Sequence, residues 1–433
     1  MVKKIKNSRH CPDLSPDLAS GVERHRLGNG MTVLLREDHA VPVVTSMIWY
    51  KVGSRNEADG QRGISHLLEH LMFKGAGRFA KGEIDAITTC NGGSNNAFTS
   101  ADTTAFHFSF ASDRWQHALE IEASRMHDNH FDPHEYEMER KVVLEELRMD
   151  LDSPWGRLRR DLELLSFRNH PYRYPVIGLQ EDLESLQMEQ VIDFYRRYYT
   201  PNNAVLVLAG DFEGGEALDR VQELFGDIAE RPLAEACCAT EPQRSQPVRF
   251  KIRRGRLDRL LISWPAPAAT DPAHFAMQVL DRIISEGKLA RLYRRLVEGE
   301  RVASFASAEL NETMEPYLYL MRCELQPEAE AEQAELLILD EVDQLRSEPV
   351  GEDELRRAHN QCCTQVLLDF ETSLDQAAQL GLMETLGGFE YWHGYLERIR
   401  SVSAQDVLEA ARQFLAPERA AVGVSVRSNG GVS

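Results

Sequence analysis

Shifted by 216 positions, half its length, the 433-residue chain falls onto itself. Leu186 meets Val402, Val191 meets Val407, Tyr198 meets Phe414, Pro201 meets Pro417, Ala204 meets Ala420 and Leu206 meets Val422. Both segments read as a helix, an aromatic residue, a proline and a strand. At an offset of 219, Phe131 meets Val350 and Glu135 meets Glu354. Self-similarity at so long a period predicts two related domains rather than one large core. Arg231 to Pro247 has no hydrophobic period and three prolines, so it reads as a linker. The expected division is residues 1–230, a linker at 231–247, and residues 248–433.

The two copies differ in their chemistry. In the first, Gly63-Ile-Ser-His-Leu-Leu-Glu-His-Leu-Met-Phe-Lys-Gly75 sets His66 and His70 four apart in an otherwise apolar run. On a helix over about Gly63–Lys74 these positions stack on one face, so both imidazoles reach one ion. Glu69 sits beside that face. The order H-x-x-E-H is the inverse of the H-E-x-x-H zinc signature and supplies two ligands and a general base. A catalytic zinc takes three protein ligands and keeps a position open, so a third ligand is required. Unpaired polar groups among leucines are costly, and one ion accounts for both histidines and the glutamate. The corresponding stretch of the second copy, Gln278–Leu296, has no histidine. One zinc per chain is expected.

Pro133 opens a further helix, at a position where proline is tolerated. On it Glu139, Val142 or Val143, and Glu146 share a stripe, so these two carboxylates lie among β-branched neighbours and point inward. Glu146 is the third-ligand candidate and Glu139, two turns earlier, its outer partner. At the offset of 219, Glu146 meets Gln365, so the second copy lacks this ligand too. His127, His130 and His134 straddle the break before Pro133 and read as surface residues. Asn29-Gly30 predicts a hairpin turn. Strands are expected at Pro42–Val52, Thr103–Phe110 and Ala204–Gly210, and helices at Asp113–Asn129, Trp155–Phe167 and Met188–Tyr199.

A net charge of −20 argues against nucleic acid and against anionic lipid as partners, and suits a basic substrate. No run approaches the apolar length of a membrane span, and the first twenty residues lack the apolar core of a secretory signal. A cytoplasmic location is the expectation. The seven cysteines, an odd number without C-x-x-C, read as reduced thiols.

The run around His66 and His70 resembles the zinc motif of the insulinase and pitrilysin family. That resemblance implies a distal glutamate in a run like E-R-x-V-(V/I)-x-x-E. Glu139-Arg-Lys-Val-Val-Leu-Glu-Glu146 matches it, the last glutamate standing 76 residues after His70. It implies zinc on His66, His70 and Glu146, with Glu69 as general base and Glu139 as the acid that supports the site. Asn96-Ala97-Phe98-Thr-Ser100 is similar to the family's edge strand, which binds peptide by strand addition. The implied fold is α+β, two homologous domains each with a mostly antiparallel sheet packed against helices, forming half of a clamshell. The chain looks like the half-length branch that includes mitochondrial processing peptidases and bacterial homologues.

The expected activity is therefore that of a zinc metalloendopeptidase acting on peptides or small unfolded proteins in a closed chamber. The family usually offers an arginine and a tyrosine, spaced Arg-x6-Tyr, from the facing half. No such pair occurs between Gln246 and Ser433, where Tyr317, Tyr319 and Arg322 stand in another arrangement. A homodimer, or a heterodimer with a zinc-less sister subunit, is the expected assembly. The alternative is a non-catalytic scaffold subunit that retains a zinc site.

Overall fold

Asn29 turns β1 (Val22–Arg26) into its antiparallel neighbour β2 (Thr32–Glu37). Its side-chain amide donates to the carbonyls of Phe225 and Ile228, at 2.7 and 2.9 Å, and Gly30 takes a left-handed φ of 85°. In the computed structural model residues 18, 20–233 and 240–427 are described. Residues 234–239 of the expected linker, with Cys237 and Cys238, lie outside them, as does Cys11. The cysteines among the described residues are free thiols.

The first sheet adds β3 (Val43–Tyr50), β4 (Ser94–Thr99), β5 (Thr104–Ala111) and β6 (Ala204–Gly210). Its order is β1-β2-β6-β3-β5-β4, antiparallel throughout except between β2 and β6. The unbroken apolar run of β6 suits its central place, where both faces are covered. Interspersed are α1 (Ile64–Leu71), α2 (Glu83–Cys90), α3 (Gln116–His127), α4 (Pro133–Asp152), α5 (Pro154–Ser166), α6 (Gln180–Ser185), α7 (Met188–Tyr198) and α8 (Gly214–Phe225).

The second sheet has β7 (Val248–Arg253), β8 (Arg259–Pro265), β9 (Ala303–Leu310), β10 (Leu318–Leu325) and β11 (Ala421–Val426). Its order is β7-β11-β8-β10-β9, and β7–β11 is its parallel pair. Its helices are α9 (Ala273–Ser285), α10 (Ala331–Ser347), α11 (Glu352–Leu368), α12 (Ser373–Leu386), α13 (Tyr395–Ser401) and α14 (Ala404–Phe414). Without β1 the two strand orders coincide. Helices α4 and α11 begin 219 residues apart, as do α5 and α12, while α7 and α14 begin 216 apart. These are the two offsets read in the sequence, and the α+β fold of two related domains is present.

The duplicated halves exchange one helix. Leu158 and Leu162 of α5, fully buried, pack on Leu261, Leu320 and Ala421 of the second sheet. Ala377 and Leu380 of α12 pack on Met47, Trp49, Val205 and Val207 of the first. Each half thus covers the outer face of the other's sheet, and a buried leucine is worth about 1.5–3 kcal/mol. Among the described residues no helix is long and apolar enough to cross a membrane.

Candidate metal centre

Helix α1 is shorter than expected, and its N-terminus is capped from a distance. Gly63, at φ 100°, lies so close to Ile177 that a Cβ would come within 2.8 Å of that carbonyl oxygen. The carboxylate of Glu57 accepts from Gly63 N at 2.8 Å and from Ser65 N at 2.9 Å. Burial pushes Glu57 up to about 8, against these two hydrogen bonds. Ile64, Leu67, Leu68 and Leu71 are buried, which leaves His66, Glu69 and His70 on the opposite, half-open face.

Helix α4 begins at Pro133 with Asp132 as its cap, accepting from His134 N and Glu135 N. Tyr136, Val143 and Leu147 are buried, and this face carries Glu139 and Glu146 to α1. Val143 is the inward valine, since Val142 is exposed. His127, His130 and His134 are all exposed and join no metal-ligating group among the described residues.

One donor atom each of His66, His70 and Glu146 lies within 4.8 Å of the others. Glu146 Oε2 is 4.0 Å from His66 Nε2 and 3.6 Å from His70 Nε2. Behind them, His70 Nδ1 is 3.2 Å from Glu139 Oε2, and Lys74 Nζ is 2.7 Å from Glu139 Oε1. His66 Nδ1 is buried without a hydrogen-bond partner. Burial, and then the neighbouring His70, bring the His66 pKa down to about 4, so its ring is neutral and can donate a lone pair. Two imidazoles and a carboxylate, converging with one side open, fit the donor set of a catalytic zinc.

Glu69 Oε2 accepts from the Thr99 hydroxyl at 2.5 Å. Burial raises the Glu69 carboxyl above its usual range, against Thr99 and His70, and Glu146 adds to the rise. Thr99 ends β4, whose only neighbour among the described residues is β5. Ser100 N donates to Thr103 O, so with Asn96 opposite His107 the even-numbered residues are the hydrogen-bonded pairs of the ladder. The N–H and C=O of Ala97 therefore point out of the sheet. The Ala97 N–H is met by the Asn96 side chain, whose Oδ1 is 2.9 Å away. Ala97 and Thr99 face α1, whereas Phe98 lies on the other face, edge-on to Trp49 at 5.3 Å.

The second half closes its equivalent place. By burial pattern, Gln278, Asp281 and Arg282 of α9 stand where His66, Glu69 and His70 stand on α1. Gln278 bonds Tyr395 and Glu312, Asp281 bonds Tyr319 and Ser285, and Arg282 bonds Glu286. Their polar groups are satisfied internally. The tyrosines and arginine considered above are likewise engaged: Tyr317 with Glu163, Tyr319 with Asp281 and Arg322 with Ser307.

Of three further residues at the site, two stand at spacings that mark them in the sequence and one does not. Lys74 is one turn beyond His70, the i,i+4 position. Thr99 shares the strand period of Ala97. Glu57 lies in an irregular loop, where no period marks it.

The insulinase (peptidase family M16) profile matches residues 32–179, and the profile of the peptidase M16 inactive domain matches residues 185–362. Zinc protease PqqE of Helicobacter pylori is 26% identical over 397 residues, covering 90% of this chain and 89% of that protein. The crystal structure of a protease from Helicobacter pylori superimposes with a TM-score of 0.90 at 24% identity, covering 94% of this chain and 99% of that one. The periplasmic protease PqqL of Escherichia coli gives a TM-score of 0.77 at 19% identity, and there 95% of this chain covers 48% of the other. The first profile spans the segments that carry His66, His70 and Glu146, and the second begins within the first half, at the end of α6, and runs into the second half. The chain belongs to the insulinase family, peptidase family M16, as a half-length member.

Proposed function

We propose that the chain is a zinc metalloendopeptidase that binds one zinc and cleaves extended peptide segments. The observation that carries this reading is the convergence of His66, His70 and Glu146 beside an edge strand with outward-facing backbone. His66 Nε2, His70 Nε2 and a Glu146 carboxylate oxygen would hold the metal. Zinc bound there supplies Lewis acidity, bringing a water near ionisation at neutral pH and polarising a carbonyl oxygen.

The chain's own groups do the rest. Thr99 occupies Glu69 Oε2, which leaves Oε1 to take the proton of the attacking water and pass it to the departing amine nitrogen. Such acid–base work contributes about 10²–10⁴-fold. The peptide adds to β4 as a further strand, its backbone meeting the N–H and C=O of Ala97. Asn96 gives up that N–H and becomes free to bond the peptide backbone itself. Phe98, 40% exposed, offers apolar surface at the strand's far face.

A second half-length chain completes the chamber, since the longer PqqL chain matches this one over 48% of its length. Tyr317, Tyr319 and Arg322 are tied up within this chain, which favours a sister subunit carrying the arginine and tyrosine over a second copy. The test is zinc content together with cleavage of an internally quenched peptide, on the purified chain and on Glu69→Gln. Zinc in both and cleavage only with Glu69 is the expected result once the partner is present. Cleavage by the chain alone would remove the sister subunit, and failure to bind zinc would refute the reading.

A further inference from the structure

The strand that faces the peptide is fastened at its end by the half without metal ligands. Just past Thr99, Ser100 and Ala101 give their carbonyls to Ser54 N and Arg55 N, at 3.2 and 3.0 Å. Asp102 follows, 5% exposed, and its carboxylate is held from three directions. Tyr172 Oη donates to Oδ1 at 2.6 Å, Arg55 Nη1 lies 3.4 Å from the same oxygen, and Met314 N donates to Oδ2 at 3.0 Å. Met314 and Glu315 lie between β9 and β10 of the second half. Glu315 takes the same Arg55 Nη1 at 2.9 Å with one oxygen and His170 Nε2 at 2.7 Å with the other. His170 Nδ1 accepts from Tyr172 N, so its proton is on Nε2 and is donated to Glu315. Glu315 N in turn donates to Tyr172 Oη at 3.3 Å.

We propose that Asp102 and Glu315, joined through Arg55 and Tyr172, are a latch by which the second half sets the position of β4 against Glu69. This rests on the peptidase reading for its consequence, though not for its geometry. Thr99, three residues before Asp102, bonds the general base, so a turn that loosens at Asp102 moves both the peptide-pairing strand and the group that orients Glu69. The latch touches none of His66, His70 or Glu146. Asp102 and Glu315 are positioning residues, and they give the metal-less half a part in the reaction beyond covering the first sheet.

The experiment compares wild type with Glu315→Gln, Asp102→Asn and the milder Tyr172→Phe. It reads amide hydrogen exchange by mass spectrometry, zinc content, and kcat and KM on a quenched peptide. Each variant removes one charge or hydroxyl at nearly constant shape. The expected result is exchange at residues 94–103 about tenfold faster or more, the scale of one charge-assisted hydrogen bond, with residues 64–71 and zinc content unchanged. KM rises and kcat falls, so that kcat/KM drops about tenfold or more, because the strand that pairs with the peptide and the Thr99 that orients Glu69 loosen together. Unchanged exchange at 94–103 in all three variants overturns the latch. So does a loss of protection at 64–71 together with zinc, which would make these residues merely structural. If wild type binds zinc yet cleaves nothing with any partner, the peptidase reading fails, and the exchange result still decides the latch.

Discussion

His70 Nδ1 lies 3.2 Å from Glu139, and the other oxygen of that carboxylate lies 2.7 Å from Lys74 Nζ. The histidine lies in the last turn of α1 and the lysine three residues past its end, so one carboxylate of α4 clamps both. Donating Nδ1–H to Glu139 leaves the lone pair of Nε2 facing Glu146, 3.6 Å away. Glu139→Gln should weaken zinc binding about 10–100-fold, the usual cost of losing such a partner, as read by competition with a chelator. Lys74→Met should weaken it less, because it removes only what steadies the carboxylate. A Lys74 effect larger than that of Glu139 would show that the ring is oriented by something else.

Ala97→Pro separates pairing to β5 from pairing to a peptide. The Ala97 N–H faces away from β5, so proline removes no ladder bond, and edge strands tolerate proline where that N–H faces solvent. The variant should fold and bind zinc like wild type. It should lose peptide cleavage about tenfold or more, since the added strand loses one backbone bond and meets the ring. Undiminished kcat/KM would exclude β4 as the peptide's partner.

Glu57 gives α1 a pH dependence whose sign can be worked out. Its carboxyl moves from 4.5 to about 8 on burial, so the folded chain binds that proton more tightly than the unfolded one. The contribution to stability is full below 4.5, falls as pH rises towards 8, and is flat above. The slope in that window is at most about 1.4 kcal/mol per pH unit. In Glu57→Gln this titration is absent. Urea unfolding of the metal-free chain between pH 5 and 9 should show wild type losing its advantage over Glu57→Gln as pH rises. An advantage that grows with pH would show that the two N–H bonds to Glu57 outweigh its burial.

The repeat and the histidine pair were legible because each rests on a period, 216 to 219 residues or i to i+4, whereas the edge strand at Asn96–Ser100 was marked by its resemblance to the family and not by alternation. Glu146 was reachable by period too, from the stripe it shares with Glu139 and Val143. The exchange of α5 and α12 between the halves was not. Both helices carry an ordinary apolar stripe, and nothing in a stripe says which sheet it covers. The seam of Arg55, Asp102, His170 and Glu315 was equally hidden, since it joins polar residues from four short connecting segments that carry no hydrophobic period. Asp102 and Glu315 look like surface acids until the second half is in place.

Gly381 on α12 tests that exchange directly. A Cβ built there would lie 2.0 Å from Trp49 Nε1 and 2.4 Å from Cδ1, so the helix reaches β3 only because this position has no side chain. Trp49 is 2% exposed and supports Phe98 of β4 edge-on at 5.3 Å, so it has little room to move. Gly381→Ala should cost about 1–3 kcal/mol, the usual range for overpacking, seen as a lower urea midpoint. Trp49→Phe removes the crowded part of the indole and leaves a gap of its own, so each single change should destabilise. Together they should cost less than the sum, because the new methyl fills what the smaller ring vacates. Additive costs would mean that α12 slides away from the sheet instead of pressing on Trp49. In that case the two halves are held together elsewhere along their seam.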